Sequence, residues 1–145
     1  MEVALTQETS LGLGRYSQLV QQLSNQLRQE FTTRNYGPGL EQIIVNLVCV
    51  APEFAAFFKK RNSTYRPGSS VLTVAGVRVE VRNSISLDVL LQPYLVKDQE
   101  LAPMQRYVVE RILEAIHTVE KREIGPFDWL TFEQDLRSFL LRVTN

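Results

Sequence analysis

The chain has a single histidine, His117, and a single cysteine, Cys49, and that scarcity excludes most ways of building an active site. Catalysis usually needs a nucleophile, a base and an orienting group, or several metal ligands that converge. One histidine cannot make a zinc site of the usual kind. A lone thiol forms no intramolecular disulfide, which fits a reducing compartment. Charge of one sign is also lacking: 16 acids balance 16 lysines and arginines, so no global field draws the protein to nucleic acid or to an anionic membrane. Long apolar runs are missing too. The strongest, Ile43 to Ala51, is broken by Asn46 and is too short to span a bilayer. The opening residues, Met1 to Thr6, show neither the basic region nor the apolar stretch of a signal peptide. These absences predict a cytoplasmic protein with no metal, no cofactor, and neither nucleic acid nor membrane as partner.

What is present is an ordinary globular composition. Of 145 residues, 44% are hydrophobic and 22% charged, which predicts one folded domain over 1–145. A chain of that length hides roughly 68–70% of its unfolded surface. Although neutral overall, it is locally polarised. Six cations (Lys59, Lys60, Arg61, Arg66, Arg78, Arg82) face one acid, Glu80, between 59 and 82, whereas seven acids face three cations between Glu110 and Asp135.

Periodicity divides the chain. Val3 and Leu5 alternate with polar neighbours, a weak strand over 2–7. Tyr16, Leu19, Val20, Leu23, Leu27 and Phe31 recur at three- and four-residue steps, predicting an amphipathic helix over 15–32. Asn35-Tyr36-Gly37-Pro38-Gly39 ends it. Glu41 to Val50, rich in β-branched residues, predicts a central strand closed by Pro52. Residues 53–61 are a short helix or an aromatic-pinned loop. Pro67-Gly68-Ser69-Ser70 is a turn signal, and Val71 to Arg82 alternates as a strand. Ala75-Gly76 is a hairpin turn in preference to a bulge. Ser84 to Gln92 is either a further strand or a helical turn. A helix is predicted over 101–122, closed by Gly125-Pro126, and a last one over 131–142, with Thr131 and Gln134 spaced as a capping box. Strands bunched between long helices predict an α+β fold. The expected form is a two-layer sandwich, with a central, mainly antiparallel sheet and the long helices on one face.

Candidate chemistry is sparse. Cys49 reads as core, and His117 as a boundary residue among Glu114, Glu120 and Lys121. Glu110 and Glu114 share a helix face, but Arg106 and Arg111 lie beside them, the pattern of a solvated surface. Gly12-Leu13-Gly14 precedes a helix without completing a phosphate-binding fingerprint. The most suggestive stretch runs from Lys59 to Arg66, with Tyr36, Arg78, Glu80 and Arg82 as possible neighbours. Arginine and tyrosine together favour protein contacts, so Lys60, Arg61, Tyr65, Arg66, Arg78, Glu80 and Arg82 are the expected partner-binding residues.

Read as one string, the chain resembles the immunity protein 44 family of bacterial polymorphic toxin systems. The resemblance rests on the long N-terminal helix, Tyr36-Gly37-Pro38-Gly39-Leu40, the apolar strand to Val50, and Pro52-Glu53. It continues through Lys59-Lys60-Arg61 leading to Tyr65, the alternation from Val77 to Val81, the helix over 105–119, Phe127-Asp128, and Asp135-Leu136 in the last helix. It covers roughly residues 14–140, with 67–76 and 84–98 fitting less well. It implies a cytoplasmic, non-enzymatic protein that neutralises a cognate toxin by binding it, and it transfers no catalytic residues. Two other readings suit the fold class. One is a small-molecule-binding or enzymatic domain, in which Cys49, His117, Glu110 or Tyr107 would have to converge. The other is a homodimeric structural or chaperone-like adaptor.

Overall fold

A computed structural model describes residues 1–9, 14–59, 63–74, 76–97 and 99–144. The order is β1 (Glu2–Thr9), α1 (Gly14–Phe31), β2 (Gln42–Cys49), α2 (Pro52–Lys59), β3 (Ser63–Val74), β4 (Val77–Leu90), a 3-10 turn (Pro93–Leu95), α3 (Leu101–His117) and α4 (Trp129–Val143). The four strands form one sheet in the order β1-β2-β4-β3. β1 pairs with β2, and β2 with β4, in parallel; only β3 and β4 are antiparallel. The sheet is therefore mixed, correcting the expectation of a mainly antiparallel one. The reason lies in the connections. α1 carries the chain back along the sheet so that β2 re-enters in the direction of β1, as a parallel pair requires. α2 and β3 together make the return that lets β4 run parallel to β2.

The core follows the pleat. Val3, Leu5, Ile43, Val45, Leu47, Ile85, Leu87 and Val89, alternate residues of three strands, cluster with the apolar stripes of α1, α3 and α4. The α1 stripe is the one its spacing predicts: Tyr16, Leu19, Val20, Leu23, Leu27 and Phe31 are all buried. Residues of opposite parity, Val48, Val50 and Leu90, pack with Ala55 of α2 in a smaller cluster. The second face of the sheet thus carries a helix of its own at one end.

Several boundaries differ from the sequence reading. Ser84 to Leu90 continues β4 and starts no new element. Pro67 and Gly68 make a bulge inside β3, between the pairs Arg66–Ser84 and Ser69–Arg82. The strands close at Val74–Val77 with Gly76 at φ +80°, as a hairpin requires; Ala75 lies outside the described residues. α3 ends at His117, where the Thr118 hydroxyl donates to the Glu114 carbonyl at 3.0 Å. Gly125-Pro126 serves instead as a packing surface, with the Gly39 N–H donating to the Pro126 carbonyl at 2.8 Å. α4 is capped by Asp128, whose carboxylate accepts from the Thr131 N–H at 3.1 Å, so Thr131 is capped where the sequence suggested that it caps.

At Leu5 the outer edge of β1 is capped by a side chain. The Ser24 hydroxyl of α1 accepts from the Leu5 N–H at 3.2 Å and donates to the Leu5 carbonyl at 3.3 Å. An edge strand otherwise offers such groups to any passing chain.

Candidate functional site

β2 stops pairing with β4 at Gln42–Ser84, whereas β3 and β4 stay paired out to Val74–Val77. From Ser69–Arg82 outward the sheet has only these two strands among the described residues. Six residue pairs make a ribbon about 20 Å long at the antiparallel rise. This arm carries much of the expected binding set. Arg78, Glu80 and Arg82 are exposed along its β4 strand, and Arg66 is exposed at its base. Arg78, Glu80 and Arg82 are two residues apart in turn, so they share one face of their strand. Val71 and Val77 are also open to solvent, at 56% and 62%, so the arm presents aliphatic as well as guanidinium surface.

Tyr65 is different. It is half-buried against the main core, and its hydroxyl donates to the Gly39 carbonyl at 3.2 Å. The structure brings Arg66, Arg78, Glu80 and Arg82 onto one hairpin, with Tyr65 bracing that hairpin from behind. Lys60 and Arg61 lie outside the described residues. Tyr36 does not join the arm: it is buried beside Phe31, Phe127 and Phe132, with its hydroxyl 2.6 Å from the Asp135 carboxylate.

The base of the arm holds residues that the sequence reading passed over. Asn83 has φ +50° and is the one non-glycine with positive φ among the described residues. Its side-chain oxygen accepts from the Gly68 N–H at 2.8 Å, and its amide donates to the Pro38 carbonyl at 2.8 Å. Its own carbonyl accepts from the Glu41 N–H, and the Glu41 carboxylate accepts from the Arg82 N–H, each at 2.9 Å. Glu41 thus supplies the acceptor where β2 gives out. An asparagine inside an otherwise alternating run was the available signal, since asparagine enters the left-handed region more readily than most residues.

The groups that a small-molecule site would need are scattered or sealed. Cys49 is wholly buried, and burial pushes its thiol pKa up. Tyr16, beside Cys49 and Tyr107, is also pushed up, chiefly by burial, and at 1% exposure it offers no entry to a substrate. The Tyr107 hydroxyl accepts from the Gln92 N–H at 2.7 Å. His117 is exposed, its Nδ1 lying 3.3 Å from Glu133. Arg111 is held by the Leu90 carbonyl and by Glu114 at 2.8 Å. Gly12 and Leu13 lie outside the described residues. Among the described residues, no group of three or more His, Cys, Asp or Glu could hold a metal ion, and no helix is long and apolar enough to cross a membrane.

The second face of the sheet is polar in its middle. Asn46 accepts from the Thr6 hydroxyl at 3.0 Å and donates to Glu8 at 2.9 Å and to Asp88 at 3.1 Å, joining β1, β2 and β4 through side chains. Toward α2 it turns apolar: a cavity of about 220 Å³ is lined by Val48, Val50, Ala55, Leu90 and Pro93. Phe54 of α2 and Tyr94 after β4 are exposed at 56% and 69%.

No curated protein and no solved structure matches the chain. A sequence model of the family described as immunity protein 44 matches residues 1–142. A match over nearly the whole length means that the chain belongs to the immunity protein 44 family.

Proposed function

We propose that the protein is a non-enzymatic immunity protein that neutralises a cognate bacterial toxin in the cytoplasm by binding it directly, with the β3–β4 arm as the principal contact. The observation that carries this reading is the arm itself, in a chain of this family. It projects past the end of β2 with Arg66, Arg78, Glu80 and Arg82 exposed. Three guanidinium groups outweigh the carboxylates of Glu80 on the arm and Glu41 at its base, so this end of the molecule is net positive and fits an acidic partner surface. Lys60 and Arg61, which precede β3 in sequence and lie outside the described residues, belong to the same proposed set. Tyr65, partly exposed and next to Arg66 in β3, completes the proposed set. Complementary charge of this kind speeds encounter and sets specificity. Arginines at the centre of an interface are also the residues most often worth 2 kcal/mol or more there.

The test is binding of the toxin domain recovered by pull-down, measured by calorimetry over a salt series. We expect one-to-one binding that weakens with salt. The folded double variant Arg78→Glu, Arg82→Glu should lose more than about 2 kcal/mol. Unchanged affinity in that variant would remove the arm as the contact, and failure to bind any toxin domain stoichiometrically would remove the immunity reading.

A further inference from the structure

A two-stranded ribbon is marginally stable by itself in water, and one that leaves its sheet at a bulge has a natural point to bend. In this arm the bending point is bolted. Asn83 bridges both strands of the ribbon to a loop of the body. Its side-chain oxygen holds the Gly68 N–H on β3, and its amide holds the Pro38 carbonyl, both at 2.8 Å. The Pro38 loop is in turn fixed from two sides. The Gly39 N–H reaches the Pro126 carbonyl at 2.8 Å, just before α4, and the Tyr65 hydroxyl reaches the Gly39 carbonyl at 3.2 Å. Glu41 adds a second brace through the Arg82 N–H. The route from arm to body therefore runs through side chains as well as through the strands.

We propose that Asn83 is a positioning residue for partner recognition: by clamping Gly68 to Pro38 it holds the arm in one pose before the partner arrives. The recognition half of this proposal rests on the toxin-binding reading above; the clamp half does not. Holding a binding element in its bound pose removes the ordering cost that association would otherwise carry. Asparagine suits the task because its short side chain offers both an acceptor and a donor while its backbone tolerates the left-handed region.

The first measurement needs no partner. Nitroxide labels at Val71→Cys on the arm and Gln22→Cys on α1, both exposed positions, report the arm's pose by electron–electron double resonance; the buried Cys49 stays unlabelled. One narrow distance distribution is expected. Asn83→Gly, which keeps the backbone conformation and removes both side-chain bonds, should broaden it. Asn83→Asp, which keeps the acceptor for Gly68 and loses the donor to Pro38, should broaden it less. The unfolding midpoint of the body should remain cooperative in both. A broad distribution in the parent, or an unchanged narrow one in Asn83→Gly, overturns the clamp.

The second measurement is the affinity of the cognate toxin domain. Loss of preorganisation in Asn83→Gly should weaken it about tenfold. A loosened arm with undiminished affinity overturns the role in recognition. A parent protein that binds no toxin domain overturns the immunity reading, and the arm distances still decide the clamp.

Discussion

Tyr36 and Asp135 stand 99 positions apart in the chain, and the hydroxyl of one donates to the carboxylate of the other at 2.6 Å. Arg34 reaches the same carboxylate at 3.0 Å and Glu30 at 2.6 Å, so the end of α1, the loop after it and α4 share one polar knot. Beneath it lie Phe31, Phe127, Phe132 and Phe139, packed edge-on or tilted against one another.

Tyr36→Phe keeps the ring in that cluster and removes only the bond. A hydrogen bond to a charged group puts the expected loss at about 1.5–3 kcal/mol in denaturant unfolding. The tyrosine also has a pH signature. Burial first, and then its bond to Asp135, push its pKa from 10.0 up to about 12. The stability it contributes is present below pH 10 and is lost as pH rises through about 12. The gap between parent and Tyr36→Phe should close over that alkaline window, and a gap independent of pH there would refute the assignment.

Ser24→Ala opens the edge of β1. Both outward backbone groups of Leu5 then lack the hydroxyl that satisfies them, at a cost of about 1 kcal/mol. Amide exchange at Leu5 should accelerate while exchange in β2 and β4 is unchanged. Equal protection of Leu5 in both proteins would mean that water replaces the serine without loss.

Gly39→Ala places a Cβ against backbone in the strip that anchors the arm. It would run into the Gly125 carbonyl oxygen and lie 2.8 Å from that of Pro126. Neither obstacle is the flexible end of a side chain, so a loss of about 2–3 kcal/mol is expected, as for overpacking elsewhere. The same change at Gly14, where nothing lies within 4 Å, is the matched control. Equal melting temperatures in the two variants would contradict the close approach.

Asp128→Asn tests the α4 cap. Hydrogen bonds from the Thr131 hydroxyl and then the Thr131 N–H hold the Asp128 carboxyl below its usual range. A depressed carboxylate contributes stability above its unfolded pKa of about 3.9 and loses it as pH falls through the folded value. The parent should therefore melt above Asp128→Asn at neutral pH, and the difference should vanish in acid. A difference that persists there would assign the cap's contribution to shape and not to charge.

Much of this was legible in the chain. The 3.6-residue stripe of α1 and the two-residue alternation from Val77 to Val81 report which side of an element is buried, and geometry within one element settles that. The same local logic marked a hairpin turn at Ala75-Gly76, the core placement of Cys49, and Arg78, Glu80 and Arg82 as the exposed side of an alternating strand; that Arg66 stands at the base of a projecting arm was not legible. Tyr65 and Tyr36 were less readable, since a hydroxyl's partner is set by what folds against it: here a glycine carbonyl 26 positions away and a carboxylate 99 positions away.

By itself, then, the sequence determined the mixed helix-and-strand composition, the faces that became core, the balanced charge and the family. Only the tertiary structure decided that β1, β2 and β4 run parallel, that Ser84 to Leu90 extends β4, and that Asn83 meets Gly68 and Pro38. The physical reason is range. Periodicity is fixed by bond geometry over a few residues, whereas strand direction and clamping depend on which distant backbone groups the crossovers bring within hydrogen-bonding reach.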